Sequence, residues 1–349
     1  MRVKWGVIGA GGIAMRRTIP EGITAARNAE LAAVMDVDET RARAVSKKFD
    51  GVPFYTTADA LLAHPGVQAV YIATPTHVHA EQCLAAIKAG KHVLVEKPVA
   101  MTAAEARKVK AAAACKRVKL GTGFMMRHHG AHQKIAQLMA QGAFGRPVLG
   151  RAQLSCWYPP IPGAWRQIPE LGGGGSFIDM GNHCADLLEV FLGKVAEVNA
   201  FVGNLVHDYK SEDSAAVLLK FESGALGVVD NFFNIPDEAS ANVLELYGSQ
   251  GSVRCEGTVG QGAGGRCLLT LLKETGGYDA KQARQEQGAQ ELQYEKVNTY
   301  RAEIEDFSDA ILSNRQPAVT YDDGIWSMKV CEAVYKSART GRTVKLRSK

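Results

Sequence analysis

The chain is poor in several features that would assign a protein to a class at sight. No stretch of its 349 residues reaches the ~18 consecutive apolar residues of a membrane helix. No C-x-x-C pair occurs, and no internal repeat is visible. Charge of one sign is also missing, because 41 Lys and Arg stand against 36 Asp and Glu, leaving a formal +5 with both signs interspersed. A nucleic-acid-binding or membrane-binding tail is therefore not implied. Cysteine is sparse and odd in number: Cys83, Cys115, Cys156, Cys184, Cys255, Cys267 and Cys331, with the closest pair, Cys255 and Cys267, twelve apart. Such a set makes neither a disulfide framework nor a zinc knuckle, and it reads as reduced, mostly buried thiols. The opening M-R-V-K-W-G-V-I-G-A enters an apolar strand without a secretory h-region and cleavage site, so a soluble, cytoplasmic protein is expected.

What is present is ordinary globular material. Apolar residues make up 46% and charged residues 22%, near the usual fractions, which excludes disordered, collagenous and coiled-coil chains. At ~150 residues per domain the length predicts two domains.

The first specific signal is a short apolar strand, Val3–Ile8, followed by Gly9, Ala10, Gly11, Gly12, Ile13 and Ala14. In this G-x-G-x-x-A string Gly9 permits the tight turn, Gly11 lets backbone N–H groups approach a pyrophosphate, and Ala14 lets a helix lie close on the sheet. A second strand, 31–35, ends in Asp36, which lies 22 residues after Ala14, near the spacing of the acid that binds a ribose 2′-hydroxyl. A carboxylate there repels a 2′-phosphate and argues for NAD over NADP. Arg41, five residues on, leaves NADP open, since a guanidinium can pair with that phosphate.

Helices and strands then alternate: helices 39–49 and 58–63, strand 69–73, helix 78–89, strand 92–95, helix 103–115, strand 118–121. Alternation of this kind predicts a doubly wound parallel sheet with ligands beyond the carboxyl ends of its strands. Thr74, Pro75, His77 and His79 follow one strand there, and Glu96, Lys97 and Pro98 follow the next.

Further along, four consecutive glycines, 172–175, precede an apolar-faced helix over 176–192. Asp179 and His183 are spaced i, i+4 on it, and a carboxylate beside an imidazole orients a general base and raises its proton affinity. Asp179, His183 and Asp186 lack a cysteine or second histidine at ligand spacing, and His128 and His132 lack Cys or Glu partners, so no metal is expected. His128 and His132 read instead as a polar helix face. The stiff loop C-W-Y-P-P-I-P-G-A-W-R at 156–166 offers Trp165 and Arg166, whose flat surfaces suit stacking on a nicotinamide or sugar ring. Runs at 195–202, 215–221, 224–231 and 242–247 predict a β-meander packed on helices. Residues 257–295 read as a long loop, and 300–312 and 325–338 as amphipathic helices.

Five strings together, V-I-G-A-G-G-I-A at 7–14, Y-I-A-T-P-T-H-V-H at 71–79, V-E-K-P at 95–98, G-G-G-G-S-F-I-D-M-G-N-H-C-A-D at 172–186 and Y-D-D-G-I-W-S at 321–327, resemble the glucose-fructose oxidoreductase, inositol dehydrogenase and rhizopine-catabolism (Gfo/Idh/MocA) family of NAD(P)-dependent oxidoreductases. The likeness runs nearly the whole chain. A weaker one, carried by G-T-G-F-M-M-R at 121–127 and Y-P-P before W-R, points to the 1,5-anhydrofructose reductase subgroup, where a small residue stands in place of Asp36. The resemblance implies an α/β protein with a Rossmann domain at 1–122 and, at 123–349, an α+β domain with a large, mostly antiparallel, open-faced sheet. Its C-terminal helix would pack back on the first domain. It also implies that Lys97 is the active-site lysine, that His183 exchanges the substrate hydroxyl proton, and that Asp179 orients substrate or histidine. Tyr158 and Tyr300 would join these three in holding substrate. Gly9, Gly11, Gly12, Ile13, Ala14, Asp36, Arg41, Thr74, Pro75, His79, Glu96, Lys97, Arg127, Trp165 and Arg166 would hold the cofactor. The implied substrate is a sugar, polyol or ketosugar, and the open sheet face would make a homodimer or homotetramer. Two alternatives share the fold: a glycoside hydrolase that works by transient oxidation with NAD, and a non-catalytic dinucleotide-binding regulator. The regulator predicts loss of the lysine or histidine, and both are present.

Overall fold

A computed structural model describes residues 1–272, 280 and 288–347. The chain forms two compact units. The first comprises Met1–Met125, Gly163–Gly174 and Asn298–Glu332. Its centre is a parallel sheet of β1 (Val3–Ile8), β2 (Ala29–Met35), β3 (Phe54–Tyr55), β4 (Ala69–Ile72), β5 (His92–Glu96) and β6 (Leu120–Gly123) in the order β3-β2-β1-β4-β5-β6. The order reverses between β1 and β4, the place where doubly wound sheets open a crevice for ligands.

The helices begin where the sequence supplies caps. Asp38 accepts from the Thr40 and Arg41 amides at 2.9 and 3.2 Å before helix Glu39–Lys48. Thr57 and Thr102 do the same for Ala58–Leu62 and Ala103–Ala114. The strand predicted at 118–121 lies two residues later, as β6, because the chain leaves the preceding helix through Arg117 in the left-handed region (φ 54°) before it rejoins the sheet. Helix Thr299–Leu312, from the far end of the chain, completes this core: Phe307 lies 5.6 Å from the Trp5 ring, and the Trp5 indole donates to Ser308 Oγ at 3.1 Å.

The second unit comprises Met126–Pro162, Gly175–Val297 and Ala333–Lys349. Among the described residues nine strands form one sheet: β7 (Pro147–Ser155), β8 (Val195–Gly203), β9 (Ser214–Phe221), β10 (Leu226–Phe232), β11 (Val243–Gly248), β12 (Gly251–Glu256), β13 (Arg266–Leu271), β14 (Gln290–Glu291) and β15 (Val344–Lys345). Their order is β14-β13-β12-β11-β7-β10-β9-β8-β15, antiparallel throughout except for the β7–β10 pair. Alternate residues bury Ala152, Val198, Val217, Val229 and Leu244 on one face with Leu187 and Leu188 of helix Asn182–Leu192. The other face carries the Arg151–Asp230 ion pair and exposes Phe201, Leu218 and Leu226. Residues 257–295 are not one long loop, since β13 and β14 lie within them; the stretches 273–279 and 281–287 of that expectation lie outside the described residues.

Among the described residues no helix is long and apolar enough to cross a membrane. Cys255 and Cys267 face each other as register partners across β12 and β13, both buried as free thiols. Burial pushes the Cys184 thiol up to about 12 and that of Cys83 up as well, while the Cys267 thiol beside it and then burial push Cys255 up. A chromogenic disulfide reagent is accordingly expected to label exposed Cys115 first and half-buried Cys156 more slowly, the other five thiols reacting only in denaturant. Fast native labelling of three or more thiols would contradict this burial.

Candidate active site

In the first unit the ends of β1, β2, β4 and β5 carry most of the sequence-predicted contacts. Leaving β1, Gly9 takes φ +84°, and a Cβ there would sit 2.8 Å from the main chain of Ala73 and Thr74, so no other residue fits the turn. A helical segment, Ala10–Ile23, follows, with Gly12 off helical dihedrals and Ala14 fully buried. At the end of β2 one Asp36 oxygen accepts the Gly11 amide at 2.8 Å and the other accepts the Asp38 amide at 3.1 Å. The stem of Arg41 lies against Gly11, and its guanidinium pairs with Asp38 at 3.2 Å.

Beyond β4, the Thr74 hydroxyl donates to Gln82 at 2.6 Å, and Pro75 leads into the short turn Thr76–Val78. His79, 1% exposed, sets Nδ1 2.7 Å from the Pro98 carbonyl oxygen and Nε2 2.8 Å from that of Thr74. Two acceptor oxygens would both be satisfied only by a doubly protonated ring, but burial pushes its pKa down to about 4, so at neutral pH the ring donates to one of them. His79 thus ties the segment after β4 to the Lys97–Pro98 turn after β5. That turn contains a cis peptide bond. Glu96 accepts from the Tyr71 hydroxyl; burial pushes its carboxyl up, while the Lys97 ammonium, Tyr71 and then Arg166 pull it down. The Arg166 guanidinium lies 4.2 Å from the Trp165 ring centre. Tyr300 is 2% exposed, with the Arg17 guanidinium 5.5 Å over its ring.

In the second unit, Asp179 belongs to a wide helical turn, Phe177–Gly181, and His183 to helix Asn182–Leu192, which continues it. Hydrogen bonds in such a turn reach the fifth residue instead of the fourth, so the predicted helix over 176–192 forms with a looser first turn. His183 is 7% exposed. Three residues on, Asp186 takes Arg127 in a two-point ion pair at 2.8 and 2.5 Å. Tyr158 stacks on Phe233 with centroids 4.9 Å apart. His128 and His132 do not share a helix face: His128 closes the short turn Met125–His128, and helix Gly130–Ala140 starts only after His129 caps it. His132 is buried, with Nδ1 2.8 Å from the Met126 carbonyl and Nε2 3.2 Å from Thr258 Oγ1. Among the described residues no group of three His, Cys, Asp or Glu is disposed to hold a metal ion.

Sequence patterns missed the supporting residues. Gln82 meets its partner through the fold with no motif to mark it, while Tyr71 and Asp186 stand inside the strings at 71–79 and 172–186, which did not name their partners. Glu303, 3% exposed with neither carboxyl oxygen hydrogen-bonded, is pushed well up by burial and then by the Glu96 charge. Its position four residues into helix Thr299–Leu312 gave no hint of that neighbour.

The first unit passes a physical test for a dinucleotide. Gly12 has open space where a side chain would stand, the Gly9 turn brings the following helical segment to the end of β1, and Asp36 presents a carboxylate at the end of β2. Residues 3–124 match the family model described as an oxidoreductase family with an NAD-binding Rossmann fold, and 132–254 match the GFO/IDH/MocA C-terminal domain. The chain is 31% identical over 345 residues to the 1,5-anhydro-D-fructose reductase of Ensifer adhaerens, covering 98% of each protein. It is 28% identical over 349 residues to the myo-inositol 2-dehydrogenase of Thermotoga maritima, again covering 98% of each. The solved structure of aldose-aldose oxidoreductase from Caulobacter crescentus, complexed with glycerol, superposes with a TM-score of 0.87 at 26% identity, covering 99% of this chain and 100% of that one. Fold and strand-end geometry define a nicotinamide-dependent oxidoreductase with a Rossmann unit. The chain belongs to the GFO/IDH/MocA family, whose NAD(P)-dependent members act on CH–OH groups.

Burial also makes acid stability testable. The His132 pKa is pushed down from 6.5 to about 3, so the folded protein holds the ring neutral while the unfolded chain protonates it as pH falls below 6.5. Stability from this residue is intact above that pH and lost on acidification, by about 1.4 kcal/mol per pH unit once well below it. Denaturant unfolding should show the deficit of His132→Gln relative to the parent shrinking by roughly 2 kcal/mol from pH 7 to pH 5. A deficit independent of pH would show that the ring titrates in the fold as it does in the unfolded chain.

Proposed function

We propose that the chain moves a hydride between a nicotinamide cofactor, NAD in preference to NADP, and a hydroxyl or carbonyl carbon of a sugar, polyol or ketosugar. The observation that carries this reading is the 31% identity over 98% of the chain to a protein named for 1,5-anhydro-D-fructose reduction. The inositol dehydrogenase and aldose-aldose oxidoreductase likenesses support the same substrate class. Asp36 supports NAD, since a carboxylate at the end of β2 accepts from ribose hydroxyls and repels a 2′-phosphate.

When bound, the nicotinamide supplies the hydride acceptor or donor. In the oxidation direction an imidazole nitrogen of His183 takes the substrate hydroxyl proton, with Asp179 orienting substrate or ring. Lys97 Nζ, charged, stabilises the negative charge that grows on the substrate oxygen. Reduction runs the same proton steps backwards. Trp165 and Arg166 would hold the flat part of the cofactor, and Thr74, Pro75, His79 and Glu96 would shape the strand ends that bind it. General-base and electrostatic contributions of this kind are worth factors of ~10² to 10³ each.

The test follows the near-UV absorbance of reduced nicotinamide with NAD or NADP and a panel of sugars, polyols and ketosugars. Lys97→Ala and His183→Ala should each lower turnover by ~10² to 10³ with cofactor affinity little changed. Near-normal turnover in both variants would sink the assignment, and aglycone release from an aryl glycoside without net NADH would replace it with the hydrolytic reading.

We also propose that the outer face of the nine-stranded sheet joins copies of the chain into a homodimer or homotetramer. Phe201, Leu218 and Leu226 are 79%, 61% and 55% exposed there, side chains that soluble surfaces seldom show together. Light scattering should give a multiple of the 37.5 kDa chain mass, reduced by Leu218→Glu. A monomeric parent at micromolar concentration would refute the assembly.

A further inference from the structure

The helix that carries Asp179 and His183 starts without a cap of its own. The main-chain N–H groups of a first helical turn have no partner inside the helix, and Ser176 makes no side-chain capping bond. Glu212, in the segment leading into β9, takes their place. Its Oε2 accepts the Gly175 amide at 2.8 Å, its Oε1 accepts the Phe177 amide at 3.0 Å, and its own carbonyl accepts the Ser176 amide at 3.0 Å. Three successive N–H groups therefore end on one residue.

The arrangement is tight and enclosed. Glu212 is 8% exposed, and Oε1 also accepts the Tyr335 hydroxyl at 2.8 Å. The Tyr335 ring meets Phe177 edge-on with centroids 6.3 Å apart. A Cβ on residue 175 would come 1.9 Å from the Glu212 carbonyl oxygen, so this approach is the reason a glycine is needed at the last place in the glycine run. The neighbouring Asp213 anchors the other side of the same segment by accepting the Leu205, Val206 and His207 amides at 2.9, 3.0 and 2.8 Å. A carboxylate at a helix N-terminus also meets the positive end of the helix dipole. From Gly175 the order passes along the helix, the Gly175 carbonyl accepting the Asp179 amide at 3.1 Å.

We propose that Glu212 is a positioning residue of the active site, its two carboxylate oxygens fixing the first turn of the helix that presents Asp179 and His183. The inference rests on the role given to His183 above. Both oxygens are needed, because the two amide donors end on different ones. Glu212→Gln keeps the shape but turns one acceptor into an NH2 group, leaving an N–H of the turn facing another donor.

The experiment compares the full-length parent, Glu212→Gln, Tyr335→Phe and His183→Ala by turnover, NADH titration and hydrogen exchange of the peptide spanning residues 175–184. Glu212→Gln should lower kcat by about 10- to 100-fold, as expected when a catalytic group is misplaced by ~1 Å. NADH affinity should stay within about twofold. Amides of the first turn should exchange about ten times faster while the thermal midpoint of the whole protein changes little. Tyr335→Phe, which leaves both amide bonds in place, should behave as the parent. Should the glutamine variant not accumulate, Glu212→Asp, which retracts the charge by one methylene, gives the same reading. Exchange in that peptide and kcat both unchanged in Glu212→Gln would overturn the proposal. Full turnover in His183→Ala would remove the catalytic role of His183, while the exchange measurement would still decide whether Glu212 holds the turn.

Discussion

Everything proposed for the first unit depends on how closely the chain leaving β1 passes the chain leaving β4. Gly9 stands 2.8 Å, counted from the Cβ it lacks, from the main chain of residues 73 and 74. That contact forces the positive φ, starts the helical segment at the sheet end, and leaves Gly12 in open space. Asp36 then reaches back from β2 to the Gly11 amide, so the turn is held from both neighbouring strands. An acceptor carboxylate and an open backbone side by side are what a dinucleotide with ribose hydroxyls and a pyrophosphate requires. The preference proposed for NAD rests on the same constraint, since any residue that relaxes the turn also moves the carboxylate.

The parts legible in the sequence are those whose physics is local. The glycine string after β1 and the alternation of apolar strands and helices gave the first unit nearly element by element. Local signals also gave β8 to β11. They did not give β7, the middle of the nine-stranded sheet, because its buried positions include the small residues Gly150 and Ala152, which break the apolar alternation. In β13 the flanking glycines and charges masked a strand whose partner, β12, lies across a turn. The histidines mark the other limit. A histidine on a helix reads as polar, yet His132 is buried by contacts with Met126 and Thr258, and the latter is 126 residues away.

The same division runs through the candidate site. Lys97, Asp179 and His183 were visible as chemistry-bearing residues next to glycines and strand ends. The contacts that hold them were not: Glu212 meets residues 175–177 from across about 35 positions, and His79, expected only to hold the cofactor, joins two strand ends through main-chain oxygens. Such supports have no spacing rule, because backbone N–H and C=O groups are available at every residue and only the fold selects which of them is met. Sequence therefore reveals the reacting groups more readily than the geometry that makes them effective.

Electrostatics around Lys97 tie chemistry to stability in the first unit. Glu96 and Glu303 are both driven toward the neutral acid by burial, and Glu303 is driven further by the Glu96 charge. Among the influences that oppose this for Glu96, the Lys97 ammonium is the largest, ahead of the Tyr71 hydroxyl and Arg166. Lys97 thus serves the carboxyl behind it as well as any charge in front of it. Removing its ammonium leaves Glu96 with less reason to ionise, and a protonated Glu96 has a hydrogen of its own to place against the Tyr71 hydroxyl that now donates to it. Exchanging Lys97 therefore changes the surroundings of Glu96, and through the Glu96 charge those of Glu303, along with the role proposed for Lys97 in the reaction.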